Sequence, residues 1–141
     1  MAEKKRVLIL CTGNVARSQM AEGLLRHMAG DRFAVFSAGL LPSYVRPAAI
    51  AVMNELGIDI SPHRSKSLVE FLDTPFDFVI TVCDHANQRC PVFPGNVTRV
   101  HWSIDDPVVS GSEAMQLEAF RHARDELQRR LQSFVDDLSG A

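Results

Sequence analysis

The 141-residue sequence has no apolar run near the roughly 20 residues of a membrane-spanning helix, and Val7-Leu8-Ile9-Leu10 is far too short. It has no excess of charge of either sign: 15 Lys and Arg stand against 17 Asp and Glu, for a formal net charge of -2. That removes the basic footprint of a nucleic-acid binder or an anionic-membrane binder. Residues 1–6 are largely charged, but no apolar stretch of signal-peptide length follows, so the expected location is the cytoplasm. No internal repeat, low-complexity tract or linker interrupts the chain, and one domain over residues 1–141 is expected. Cysteine is scarce and odd in number. Cys11, Cys83 and Cys90 cannot make a closed disulfide framework, and the absence of an export signal argues the same way. A free cysteine can be an inert small hydrophobe, so the neighbours of each decide whether it carries chemistry.

The sequence does hold 46% hydrophobic against 23% charged residues, enough for a self-sufficient core. It also alternates strand and helix signals. The run Val7-Leu8-Ile9-Leu10 suits a buried parallel strand that ends at Cys11. From Ser18, the residues Met20, Leu24, Leu25 and Met28 recur at near-helical spacing up to Gly30. Residues 33–38 read as a second strand, closed by Gly39. Pro47 opens a helix that Gly57 ends. Ser67 caps a short helix through Phe71, residues 77–82 form a third strand ending at Cys83, and residues 97–101 form a fourth. Ser112 caps a final helix whose apolar stripe is Leu117, Phe120, Leu127, Leu131, Phe134, Val135 and Leu138. The charges between them, Glu118, Arg121, Arg124, Asp125, Arg129 and Arg130, are expected to face water. The predicted class is α/β: a single three-layer domain with a central four-stranded, mostly parallel sheet flanked by helices. Sites in such sheets lie beyond the carboxyl ends of the strands. Cys11, Cys83 and the loop containing Asp105-Asp106-Pro107 all fall there.

The stretch Cys11-Thr12-Gly13-Asn14-Val15-Ala16-Arg17-Ser18 joins a strand to a helix. A loop entering a helix N-terminus can aim successive backbone N–H groups at one point, and with the helix dipole this makes an anion cradle. Gly13 permits close backbone approach, and Asn14 tolerates a left-handed conformation. Arg17 can hold a tetrahedral oxyanion through two parallel hydrogen bonds. The same donors favour thiolate at Cys11, and Ser18 is placed to give it another hydrogen bond. Thr12, Gly13, Asn14, Val15, Ala16, Arg17 and Ser18 are therefore the candidate oxyanion-binding residues.

This arrangement resembles the low-molecular-weight protein tyrosine phosphatase fold. The run Cys11 to Ser18 continuing as Gln19-Met20-Ala21-Glu22-Gly23 looks most like the thioredoxin-coupled arsenate reductases. Later segments match in order: Ser37-Ala38-Gly39, Cys83 to Cys90-Pro91, and His101-Trp102 with Asp105-Asp106-Pro107. The resemblance implies reduction of arsenate to arsenite, with phosphate and sulfate as competing anions and thioredoxin as electron donor. It implies Cys11 as nucleophile, Cys83 as second thiol, Cys90 as third and Asp106 as general acid. Asp105 is the competing choice for the acid. No cofactor and no metal are assigned, and a monomer is expected. If residues 84–89 are helical, the Cα atoms of Cys83 and Cys90 lie roughly 10 Å apart, at about 1.5 Å per residue. A disulfide needs about 4.4–6.8 Å, so this segment would have to unwind.

Some relatives hold a potassium ion beside the loop. Asn14, Glu22 and Ser37 look like three of its ligands, but Lys66 stands where an aspartate is expected. Lys66 is then either an electrostatic replacement for the ion or a solvated surface lysine. His27, His63 and His122 read as surface residues. A metal reading of Cys83, His85 and Cys90 lacks a fourth ligand and the usual spacing. The alternative enzyme class is a phosphatase acting on phosphomonoesters through a Cys11 phosphocysteine, and a non-enzymatic anion-binding module is the third reading. Val108-Val109, where the phosphatase relatives carry tyrosines, and the pair Cys83 and Cys90 favour the reductase.

Overall fold

The structure is a computed structural model that describes residues 4–139. Strands β1 (Lys5–Cys11), β2 (Phe33–Gly39), β3 (Phe78–Thr81) and β4 (Thr98–His101) form one parallel sheet in the order β2-β1-β3-β4. The chain leaves β1 toward β2 on one side and leaves β3 toward β4 on the other. The carboxyl ends of β1 and β3 therefore flank the point where strand order reverses, which is where an open parallel sheet has its crevice. Val7 to Leu10 in β1 are fully buried, as a central parallel strand covered on both faces requires.

Helices α1 (Arg17–Ala29), α2 (Pro47–Asn54) and α4 (Glu113–Ser139) pack on one another. Phe33 of β2 stacks on Phe134 of α4, with ring centroids 5.8 Å apart. Phe36 has the opposite parity along the strand and so faces the other side. There it meets Phe71 and Phe76, and Phe76 meets Phe93 edge-on. The three layers predicted from strand and helix alternation are thus present. Trp102 belongs to the same core, edge-on to Phe134. No helix among the described residues is long and apolar enough to cross a membrane.

The predicted caps are seen at Ser67, whose side chain accepts from Val69 N–H ahead of a 3-10 turn at Leu68–Phe71, and at Ser112, which accepts from Met115 N–H. The third and fourth strands are shorter than predicted, because pairing begins only at Phe78 and Thr98. Gly30 follows α1 without entering the left-handed region. Gly57 does adopt positive φ, but α2 ends before it, at Asn54. Arg124 corrects the expectation of a water-facing charge. It is buried, and its Nη1 donates to Val52 O and to Glu55 Oε1, both at 2.8 Å, tying α4 to α2. Arg121 donates to the same carboxylate. The two guanidiniums hold the Glu55 carboxyl below its ordinary range. Leu138 corrects the other end of the pattern, lying exposed past the end of the buried stripe.

Candidate active site

The loop at residues 11–17 is shaped by what its carbonyls do. Thr12 O accepts from Leu41 N–H at 2.8 Å, Gly13 O from Ser65 Oγ at 2.8 Å, Asn14 O from Gln19 Nε2 at 3.1 Å and Val15 O from Arg46 N–H at 2.8 Å. In a trans peptide the carbonyl and the following N–H point in opposite directions. With these carbonyls drawn outward, the amides of residues 13–16 turn inward, onto a cavity of about 200 Å³. Cys11, Thr12, Gly13, Val15, Ala16, Arg17, Arg46, Asp106 and Val108 line it.

Asn14 makes this path possible. Its φ is +53°, and its side chain is fully buried. Oδ1 accepts from Gln19 Nε2 (2.9 Å) and Lys66 N–H (2.8 Å), while Nδ2 donates to Ser18 Oγ (2.7 Å) and Ser37 Oγ (3.0 Å). Every hydrogen-bonding position of the amide is used. Ser18, expected to serve the thiolate, is engaged by Asn14 as an acceptor, which leaves its own proton for another partner. Gly39 gives the loop room. A Cβ there would lie 2.7 Å from Asn14 N and 2.9 Å from Thr12 O, so the end of β2 can pass the loop only as glycine.

Arg17 is anchored by Nη1 to Ile104 O at 2.8 Å, and its Nη2 lies 4.0 Å from Asp106 Oδ2. Asp106 and Arg17 therefore face the same cavity as Cys11. Asp105 does not: it lines a larger cavity, about 480 Å³, between the 103–109 segment and α4. Cys83, just past β3, faces the loop beside Cys11, and the two thiols act on each other's protonation. It also lies 3.2 Å from Thr12 Oγ1 and accepts from Ala86 N–H at 3.4 Å, as the cap of helix α3 (Asp84–Gln88). The hydrogen bonds from Cys11, Thr12 and Ala86, aided by the Arg17 charge, pull the Cys83 thiol down to about 5, against the opposing effect of burial. Donating to Cys83, together with burial, pushes Cys11 up, with Arg17 opposing. Of the two sulfurs, Cys83 is the one this arrangement favours as thiolate. Cys90 stands apart beyond α3, half-buried, and burial raises its thiol.

Beneath the loop, Ser37 donates to Glu22, which is 5% exposed. Arg26 Nη2 lies 2.7 Å and Lys66 Nζ 3.8 Å from the Glu22 carboxylate. Lys66 is not a solvated lysine: its side chain is 12% exposed, Nζ donates to Arg64 O at 3.0 Å, and burial lowers its pKa. This set does not fit a potassium ion, because two fixed cations already face the single carboxylate. His63 also corrects the surface assignment. Its side chain is 12% exposed, with Nδ1 3.0 Å from Gln19 Oε1. No group of three or more His, Cys, Asp or Glu that could hold a metal comes together among the described residues.

Sequence reasoning missed Gln19, Gly39 as a clearance point and Arg46 on the cavity wall. Only Gln19, next to the motif on the same helix, carries a local signal. The other two act on segments distant in sequence.

A family model described as low molecular weight phosphotyrosine protein phosphatase matches residues 6–140. A relative from Halalkalibacterium halodurans named arsenate reductase is 42% identical over 134 residues, covering 94% of this chain and 96% of that protein. A solved arsenate reductase in the phosphate binding state superposes with a TM-score of 0.76 at 32% identity, covering 94% and 98% of the two chains. The YwlE arginine phosphatase from Geobacillus stearothermophilus superposes with a TM-score of 0.78 at 28% identity, covering 96% and 94%.

Proposed function

We infer that the chain, which belongs to the low molecular weight phosphotyrosine protein phosphatase family, works as an arsenate reductase. The observation that carries this reading is the second sulfur: Cys83 Sγ lies 3.2 Å from the hydroxyl of Thr12, the residue that follows Cys11 in the loop around the anion cavity. A hydrolase that passes a phosphoryl group to water has no use for it. A reductase does, because As(V) must receive two electrons.

In the proposed cycle, arsenate is held by the inward amides of residues 13–16 and by Arg17. The Cys11 proton moves to Cys83, and the Cys11 thiolate attacks arsenic. Asp106, across the cavity from the loop, donates a proton to the departing oxygen, which leaves as water. Cys83 passes its proton to an arsenic-bound oxygen and, as a thiolate, attacks the Cys11 sulfur. The S–As bonding pair stays on arsenic, so arsenite leaves as As(III) and a Cys11–Cys83 disulfide remains. Cys90 attacks Cys83 and frees Cys11. Thioredoxin reduces the Cys83–Cys90 disulfide, in a reducing cytoplasm and on a monomeric enzyme. Phosphate and sulfate compete for the same cradle. Phosphomonoester hydrolysis through Cys11 is the second reading, supported by the family and by the phosphatase neighbour, and it needs neither Cys83 nor Cys90.

The deciding experiment is thioredoxin-dependent arsenate turnover in the wild type, Cys83→Ser and Cys90→Ser, with hydrolysis of an aryl phosphate measured in parallel. Both variants should lose multiple turnover of arsenate and keep most of any phosphatase activity. Normal arsenate turnover in both would remove the three-thiol relay. An aryl phosphatase with no arsenate reduction in the wild type would favour the second reading.

A further inference from the structure

Helix α3 has five residues, and a helix that short does not hold itself together in water. Its packing is thin: Ala86 is buried, whereas Asp84, His85 and Gln88 are exposed. What fastens it is a chain of hydrogen bonds through His101, the last residue of β4. Nε2 of His101 lies 2.8 Å from Asp84 Oδ1, and Nδ1 lies 2.8 Å from Thr81 Oγ1. Thr81 Oγ1 in turn donates to Asn87 Oδ1 at 3.2 Å. A carboxylate only accepts, so Nε2 of His101 donates to Asp84, while Nδ1 shares a hydrogen bond with the Thr81 hydroxyl. The ring thereby holds the first residue of α3 directly and the fourth through Thr81.

We propose that His101 is a positioning residue for the disulfide relay, clamping α3 in the wound form that keeps Cys83 beside Cys11 and away from Cys90. The proposal rests on the relay reading above. A helical 84–88 segment holds the Cα atoms of Cys83 and Cys90 roughly 10 Å apart, beyond the about 4.4–6.8 Å of a disulfide. Joining them requires α3 to open. Cys83 also caps α3 by accepting from Ala86 N–H, and a disulfide sulfur is a far weaker acceptor than a thiolate. Once Cys83 is oxidised, the His101 clamp remains at that end of the helix, beside a longer contact of 3.5 Å between Thr12 Oγ1 and His85 Nδ1 and the pairing of Asp84 with Ser103. Its strength then sets how readily the 83–90 dithiol becomes a disulfide.

The test equilibrates the full chain in glutathione redox buffers. Two protein thiols pass two electrons and two protons to glutathione disulfide, giving the 83–90 disulfide and two glutathione molecules. Peptide mass mapping identifies the bond. His101→Phe removes both contacts and weakens the reduced form, so the equilibrium constant for the disulfide should rise about tenfold, the scale of one hydrogen bond to a charged group. Hydrogen exchange should speed up by a similar factor at Asn87 and Arg89, whose N–H groups bond to Cys83 O and His85 O. Exchange in β1 should not change, which separates a clamp from a general loss of stability. His101→Gln, with one donor arm, should fall between. If His101→Phe fails to fold, Asp84→Ala and Thr81→Val cut the two contacts separately, each with a several-fold effect of the same sign. Unchanged equilibrium and exchange in these variants would overturn the clamp, and so would faster exchange spread evenly over the sheet. A wild type that forms no 83–90 disulfide in any buffer would instead overturn the relay, and the exchange data alone would then decide the clamp.

Discussion

The 11–18 loop and the 83–90 segment face each other across the carboxyl ends of β1 and β3, and they are built in opposite ways. In the loop, successive carbonyls are tied down, Asn14 uses every donor and acceptor it has, and its side chain is fully buried. In the segment, a five-residue helix rests on one buried alanine and a few hydrogen bonds. The contrast matches the chemistry proposed for each. Stabilising developing charge on an oxyanion requires donors that do not reorganise during the reaction. Carrying a disulfide outward requires backbone that opens at low cost, and such elements come from the least stable parts of a fold.

The charge on the facing sulfurs gives the largest expected effect. With Cys83 drawn to about 5 and Cys90 raised by burial, ultraviolet thiolate absorbance should show one thiolate present above about pH 5 and lost as the pH falls through that value. The step should vanish in Cys83→Ser and survive in Cys90→Ser. A low-pH step that persisted without Cys83 would mean that the negative charge belongs to Cys11 instead.

Rigidity of the loop is tested at Gly39. A Cβ at 2.7 Å from Asn14 N must displace backbone, so Gly39→Ala should cost about 1–3 kcal/mol in denaturant unfolding, the usual range for overpacking. Phosphate affinity should weaken as well, since the inward amides move with the loop. Equal stability and affinity would show that the loop is as compliant as the segment it faces. The smallest effect concerns Lys66. Its ammonium and the Arg26 guanidinium already face Glu22, so potassium chloride should change arsenate turnover no more than sodium chloride at equal ionic strength. Specific activation by potassium would reject that balance of charge.

Much of the site is legible in the sequence because its signals are local. A strand running into a loop that enters a helix can be read from residues 7–25 alone, and the cap at Ser67 follows from its immediate neighbours. The polar partners are another matter. Arg124 has the spacing of a solvated residue in α4, yet it lies under α2 because Val52 O and Glu55 are there to receive it. His63 and Lys66 sit in a polar stretch that reads as surface, and they become interior only where the chain folds back under the loop beside Gln19 and Glu22.

By itself, the sequence determined the α/β alternation, the loop between β1 and α1 and the three thiols, because hydrophobic period and motif spacing act over a few turns of chain. Only the tertiary structure decided that β3 lies directly beside β1, although β2 comes between them in the chain, and hence that Cys83 meets the loop after Cys11. It also decided that Asp106 rather than Asp105 shares the Cys11 cavity, that Lys66 supplies a cation beneath the loop, and that His101 meets Asp84 of α3. Each of these depends on segments remote in sequence being brought within hydrogen-bond range, which no local pattern encodes.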